Sequence, residues 1–135
     1  MRFLVDANVL CEPTRPSPDA NVLAWLETHE SEIVVDAVVL GEIAAAVLGL
    51  PAGRKRERLE EWFEALAGVV ECLPWDADIA RRWARLVADS RKKGRTIPLL
   101  DSMIAATALR HGLVVATRNG DDFRRAGVEV LDPFA

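Results

Sequence analysis

Short apolar runs, each followed by a longer stretch with helical spacing, are the feature that most restricts how this chain can fold. The runs predicted as strands are residues 3–5, 33–35, 69–73, 113–116 and 128–131. The first of them is a continuous apolar run, which is typical of strands buried on both faces of a parallel sheet. Because helices separate the strands, we predict an α/β fold: a three-layer α/β/α sandwich with a mainly parallel central sheet.

The stretches between the strands carry signals for helices. Helices are predicted at residues 20–29, 37–48, 54–66, from 76 to about 94, 99–111 and 121–125. We expect the second and third of these to form an antiparallel pair. No linker or repeat divides the sequence, and 135 residues, half of them hydrophobic, suit a single domain over residues 1–135.

Composition narrows the classes of function and the compartment. A net charge of -4 argues against a protein that coats nucleic acid by bulk charge, so any such contact must be local. Cys11 and Cys72 are the only cysteines, and a chain with its own core needs no disulfide, which favours reduced thiols. Without a signal peptide or an apolar run of about 20 residues, we expect a cytoplasmic protein with no membrane contact.

Three acidic residues stand in unusually apolar surroundings. Asp6 follows the first strand, where open α/β sheets bind ligands but where a helix N-cap is equally at home. Glu42 is the only ionisable residue between Asp36 and Arg54, and its burial would be costly unless it faces a cleft or a cation. Asp101 lies in the first turn of an apolar helix, and the helix dipole alone could explain it.

Polar residues also follow the fourth strand, in "VVATRNGDDF". Thr117 and Asn119 should therefore emerge from the same sheet edge as Asp6, with Asp121 and Asp122 close behind. If these groups gather, mutual repulsion would raise the pKa values of the carboxyls unless a cation neutralised them. Oxygen ligands without histidine or cysteine suit Mg²⁺ or Mn²⁺.

Four segments together resemble a known family: "FLVDANVLCEP", "VVLGEIAAAVLGL", "PLLDSMIAATALRHGL" and "VVATRNGDDF". They are similar to the successive acidic motifs of PIN-domain proteins, in particular the VapC- and FitB-like toxins of toxin-antitoxin pairs. The resemblance extends over essentially the whole chain. It implies that Asp6 and Asp101 are the principal metal ligands and that Glu42 is a further acid of the site. Relatives often carry an aspartate just after "TR", where this chain has Asn119, so Asn119 or Asp122 fills the fourth position.

The function implied by this resemblance is that of an endoribonuclease toxin. Mg²⁺, or Mn²⁺, would activate water to hydrolyse RNA and leave a 5′-phosphate. Thr117 could hold a water and Arg118 could contact a phosphate, although strand-end capping and surface solvation are the favoured explanations of both residues. The partners implied are an RNA substrate, a cognate antitoxin, a second copy in a homodimer, and operator DNA only through the antitoxin.

Two other functions stay open. The missing carboxylate at Asn119 would suit a catalytically weak or inactive module that joins its antitoxin on DNA as a transcriptional regulator. Phosphoryl transfer with Asp6 as nucleophile is less favoured, because position 8 is asparagine where a "DxDxT" motif needs a second aspartate.

Two basic runs complete the candidate features. The run at 91–95 ends a helix, where cations are favourable for local reasons. The run that starts at Arg54 opposes its helix dipole, which favours RNA or partner binding. A surface of salt bridges with Glu57, Glu60 and Glu61 is an equally good explanation.

Overall fold

The computed structural model describes residues 2–135, and within them a parallel five-stranded sheet forms the middle of the fold. The strands are β1 Phe3–Val5, β2 Ile33–Asp36, β3 Glu71–Leu73, β4 Val114–Ala116 and β5 Val130–Leu131. Their spatial order is β3-β2-β1-β4-β5, so β1 is the central strand. The three-layer α/β/α sandwich predicted from the sequence is confirmed.

Helices connect the strands and cover the sheet. They are α1 Ala7–Leu10, α2 Ala20–Thr28, α3 Ala37–Leu48, α4 Arg54–Val69, α5 Ala77–Lys92, α6 Leu99–His111 and α7 Asp121–Arg125. Short 3-10 turns occupy Glu12–Thr14 and Glu30–Glu32. Aspartate side chains cap α2, α3 and α5 through Asp19, Asp36 and Asp76, and these bonds explain why the helices begin where the sequence predicted.

The core lies on both sides of β1. Leu4 and Val5 are completely buried, and the strands on either side of them contribute further buried valines. Helix α3 packs onto this core through Val39, Ile43 and Val47, while α6 adds Ile104, Ala105 and Ala108. Burying the central strand fixes the direction of its carboxyl end, and this end positions the polar residues described below.

The structure corrects several predicted boundaries. The smaller corrections are that α2 ends at Thr28 instead of 29, β2 at Asp36 instead of 35 and α5 at Lys92 instead of about 94, and that β4 begins at Val114 instead of 113. Helix α4 continues through Val69, three residues past the predicted end, and β3 therefore begins at Glu71 instead of Val69. The side chain of Val69 is 85% exposed, so its preference for a strand is not supported by burial. Strand β5 starts at Val130 instead of Val128, because the Val128 N–H is taken by the Phe123 carbonyl (3.0 Å) after α7.

Some elements were not predicted at all. Helix α1 and both 3-10 turns are too short to show a helical period in the sequence.

Both cysteine thiols are free, as expected. None of the helices formed by residues 2–135 is long and apolar enough to pass through a bilayer.

Candidate active site

Asp6 stands where the central strand ends and α1 begins. Its backbone N–H donates to the Ala116 carbonyl of β4 (3.0 Å), and its Oδ1 accepts the N–H of Ala7 (2.8 Å). Its other oxygen, Oδ2, accepts the hydroxyl of Thr117 (2.8 Å) from the end of β4. Asp6 is 7% exposed. It is therefore an N-cap, and its second oxygen is at the same time held towards the next strand.

An asparagine that the sequence analysis did not select as a site residue ties the two strand ends together. The Nδ2 of Asn8 donates to Asp6 Oδ2 (3.3 Å) and to Thr117 Oγ1 (3.2 Å). Its Oδ1 accepts the backbone N–H of Arg118 (3.1 Å). Its place two residues after Asp6, on the first turn of α1, was the only available signal. Asn8 and Thr117 thus fix the orientation of the Asp6 carboxylate.

Glu42 projects from the middle of α3 and is half-buried. Its Oε1 is fully buried and has no hydrogen-bond partner among residues 2–135. Burial raises the pKa of the Glu42 carboxyl, and the nearby charges of Asp6 and then Asp101 raise that pKa further. The sequence predicted that a glutamate in so apolar a helix needs a cleft or a cation, and the structure leaves this need unmet by protein groups.

Asp101 lies in the first turn of α6 and faces the same group of acids. Burial is the largest cause that raises the pKa of its carboxyl to about 6, followed by the charges of Asp6 and Asp122. An N-terminal helix position by itself would favour the charged form and lower the pKa. Burial and repulsion, both of which disfavour the charged form, therefore act against the dipole at this position.

The fourth position has two candidates, and they differ in exposure. Asp122 on α7 is half-buried, pairs with Arg125 (3.0 Å) and contributes to the raised pKa of Asp101. Asn119 is exposed, and its backbone N–H donates to Thr117 Oγ1 (3.2 Å). The charge of Asp122 therefore acts on the carboxyl of Asp101. Which of the two completes the site stays a prediction.

Arg118 and Cys11 are two further residues near this edge of the sheet. The guanidinium of Arg118 lies 4.4 Å from the centroid of the Phe134 ring, a cation-π contact that holds it at the surface. The pKa of the Cys11 thiol is raised to about 11, chiefly by burial, with Arg15 lowering it and Glu42 and Asp6 raising it. The Cys11 thiol is therefore protonated at neutral pH, which disfavours it as a nucleophile.

The donor set fits a hard divalent cation. It consists of carboxylate oxygens, one of them buried without a partner, and burial followed by repulsion between carboxylates raises the pKa values of Glu42 and Asp101. Within residues 2–135, no three acidic, histidine or cysteine side chains are arranged to hold one ion by themselves. Mg²⁺ is usually bound through one or two carboxylates and retains several waters, so such a cage is not required. That Asp6 and Asp101 are the metal ligands stays a prediction.

Comparison with known proteins gives the same picture from an independent direction. The PIN domain profile matches residues 3–129. The VapC ribonuclease Y4jK of Sinorhizobium fredii is 38% identical, covering 98% of this chain and 97% of the relative. Toxin FitB of Neisseria gonorrhoeae is 37% identical, covering 98% of both. A solved structure of FitAB bound to an IR36 DNA fragment matches with a TM-score of 0.89 and 34% identity, covering 98% of this chain and 96% of that one. The fold, these full-length relatives and the group of Asp6, Glu42, Asp101 and Asp122, which we call the acidic edge, all agree. The chain belongs to the PIN-domain family and, within it, to the VapC- and FitB-like toxins.

Proposed function

We propose that this protein is a Mg²⁺-dependent endoribonuclease toxin of a toxin-antitoxin pair, with Mn²⁺ as an alternative ion. The observation that carries the proposal is the electrostatic coupling of Asp6, Glu42, Asp101 and Asp122 at one sheet edge, with Glu42 Oε1 buried and unpartnered. A ribonuclease name among the full-length relatives supports the choice of RNA as the substrate.

Asp6 and Asp101 are the proposed ligands of the ion, with Glu42 and either Asp122 or Asn119 around it. A bound divalent ion supplies a water of lowered pKa and offsets charge on the phosphate being cleaved. The protein groups prepare the place for it. Thr117 and Asn8 hold Asp6 Oδ2 in one orientation, so that its charge is directed into the edge.

Proton transfer falls to the carboxyls with raised pKa values. The Glu42 carboxyl has a raised pKa and the residue is only partly buried, so it is the proposed acceptor of a proton from the attacking water. Asp101, with a pKa of about 6, changes protonation state near neutral pH and can hold or return a proton at its carboxyl oxygen. No side chain needs to form a covalent intermediate.

The proposed partners follow from the charge of the site and from the relatives. A crowded group of carboxylates is a good binding place for a guanidinium, so an antitoxin that presents an arginine would block it. The matching FitAB structure contains DNA, which supports operator binding through the antitoxin. A homodimer and a cytoplasmic location complete the proposal.

A non-catalytic regulator is the second candidate, and Asn119 is the observation that favours it. Asparagine at this position brings no charge, and its side chain is exposed. If the fourth acid is needed for turnover, the protein would retain antitoxin and DNA binding without cleaving RNA.

Cleavage of labelled single-stranded and transfer RNA by purified protein decides between the two. We expect cleavage with Mg²⁺ or Mn²⁺, none with EDTA, and none from Asp101→Asn. Asp89→Asn, on the exposed face of α5, controls for the loss of one negative charge. An equal rate in Asp101→Asn, or no cleavage by wild-type protein with any divalent ion, would reject the enzymatic proposal.

A further inference from the structure

The charges of α4 are divided between two sides of the helix. Four glutamates on one side line a groove against α3: Glu57, Glu60, Glu61 and Glu64. On the other side Lys55 and Arg58 line a separate pocket. Among the basic residues at the start of α4, Arg56 pairs with Glu60 (2.7 Å), whereas Lys55 and Arg58 form no ion pair within residues 2–135. The explanation by surface salt bridges therefore covers only part of this basic run.

The pocket that Lys55 and Arg58 line combines cations with an apolar wall. Its volume is about 350 Å³, within the range of about 300–1,000 Å³ usual for small-ligand sites. Arg15 is a third cation at its rim and pairs with Glu12 (3.2 Å). We call it the cationic pocket; the side chains used below are Cys11, Ile43, Lys55, Arg58, Leu59 and Trp62.

The cationic pocket lies next to the acidic edge. Cys11, the C-cap residue of α1, lines the pocket, and α1 begins directly after Asp6. Ile43, the neighbour of Glu42 on α3, lines it as well. One short helix and one residue step on α3 therefore connect the pocket to the carboxylates of the candidate site, and the charges of Glu42 and Asp6 raise the pKa of the Cys11 thiol.

We propose that the cationic pocket binds one nucleotide of the RNA strand next to the phosphate that is cleaved. This inference rests on the proposed ribonuclease function and identifies how that site holds its substrate. A chain with a net charge of -4 and an acidic centre repels a polyanion, so cations must attract the strand locally. Lys55 and Arg58 bind the backbone phosphates, and Trp62 with Leu59 provides the surface against which the base lies.

RNA binding in EDTA tests this without any need for cleavage. The change in anisotropy of a labelled single-stranded RNA is measured against salt concentration for the double variant Lys55→Gln/Arg58→Gln. The matched control is Arg85→Gln/Lys92→Gln on α5, which also removes one arginine and one lysine that are exposed and form no ion pair within the described residues. Thermal unfolding verifies that each variant is folded.

We expect the pocket variant to raise Kd at least about tenfold and to reduce the slope of log K against log salt by roughly 1.4, the value for two single-strand phosphate contacts. The control should change both quantities much less. Trp62→Leu should also weaken binding about fivefold or more. Trp62→Phe should retain binding, because the phenylalanine ring can still stack on a base.

Three results would overturn the inference. Equal losses in both double variants would mean that only bulk charge matters, and undetectable binding of RNA by wild-type protein would remove the ligand. Unchanged RNA binding together with lost antitoxin binding would make the pocket a protein-docking site. Pocket-dependent binding without cleavage in Mg²⁺ would instead reject the proposed function alone, whereas cleavage with pocket-independent binding rejects only this inference.

Discussion

Two strand ends in this protein are nearly identical in sequence and differ in what surrounds them. Asp6 ends β1 in "FLVDA", and Asp36 ends β2 in "IVVDA". Both cap the helix that follows, through the N–H of Ala7 and of Val38 respectively. Both are buried, with 7% and 0% exposure. Local sequence therefore gives the two aspartates the same secondary-structure role.

Asp6 and Asp36 differ in the groups that surround their carboxylates. Asp36 accepts the Val38 N–H (2.6 Å) and the hydroxyl of Thr107, so each oxygen has a protein donor. Burial raises the pKa of the Asp36 carboxyl, while these two hydrogen bonds and His111 oppose the rise. Asp6 is instead close enough to Glu42 and Asp101 to raise their pKa values. Both aspartates have a protein donor for each oxygen, and they differ in that only the charge of Asp6 raises the pKa values of two other carboxyls.

Sheet topology explains why the two surroundings differ. The strand order β3-β2-β1-β4-β5 reverses direction at β1, since the chain adds strands first on one side of it and then on the other. Ligands of open parallel sheets bind at such a switch point, in the crevice outside the carboxyl ends. Asp6 borders that crevice, whereas Asp36 lies one strand away from it, beneath α6. The position of a strand in the sheet decides which of two equal motifs becomes a candidate site.

The largest expected effect follows from removing the carboxylate at the switch point. Asp6→Ala should reduce RNA cleavage at least about 10³-fold, because preorganised charge at a reacting centre accounts for rate factors of this size. Folding should weaken by roughly 2–3 kcal/mol, because the Ala7 N–H and the Thr117 hydroxyl lose their acceptor. Asp19→Ala removes the cap of α2 and controls for the loss of a helix cap. Full activity of Asp6→Ala in a single-turnover assay would show that Asp6 has no role in cleavage and is, like Asp36, only a helix cap.

The reciprocal expectation concerns Asp36 and is an effect on stability. Asp36→Ala leaves the Val38 N–H and the Thr107 hydroxyl without their partner, so urea denaturation should show a loss of roughly 2–3 kcal/mol in the free energy of unfolding. Cleavage per folded molecule should remain near that of the wild type. If Asp36→Ala stays folded but loses cleavage, the division between a structural and a functional aspartate is wrong.

The comparison also shows how far the sequence could lead. Caps and terminal glycines are local, and α3, α6 and α7 were predicted at their observed bounds for that reason. That Asp6 and Thr117 meet was predictable, because parallel strands end at a shared edge, whereas the other acids of the site lie on helices. The bond between Asn8 and Thr117 joins residues 109 positions apart, and no local pattern encodes it. The cationic pocket also depends on how α4 packs, which the charge run alone leaves undecided.

A smaller effect concerns the stability of the metal-free protein, which should depend on pH through Asp101 at the acidic edge. The pKa of Asp101 is about 6 in the folded state and has its ordinary value of 3.8 in the unfolded chain, so between these pH values the native state binds one more proton than the unfolded state. Stability without metal should therefore fall as pH rises from about 4 to about 6.

Asp101→Asn removes the charge and should stabilise the metal-free protein at pH 7.5 by roughly 1 kcal/mol, after allowance for its partial exposure. The gain should vanish near pH 4, where Asp101 is already protonated in the native state. Denaturation in EDTA at the two pH values measures it. A loss of stability at pH 7.5 would show that Asp101 is held by favourable contacts and is not repelled by its neighbours.

The smallest expected effect decides between the two candidates for the fourth position. Asn119→Asp adds a carboxylate after β4, and if that side chain faces the ion, Mn²⁺ affinity measured by calorimetry should rise about threefold to tenfold, as expected for one added charge acting through water. Asp122→Asn should lower the affinity by a similar factor if Asp122 provides the charge, as its effect on the pKa of Asp101 suggests. Unchanged affinity in Asn119→Asp together with a loss in Asp122→Asn would place the fourth acid on α7. The charges of the site would then come from Asp6 after β1 and from helices α3, α6 and α7, and the end of β4 would contribute only the hydroxyl of Thr117. Of the ends of β1, β2 and β4, that of β1 alone would supply a charge to the site.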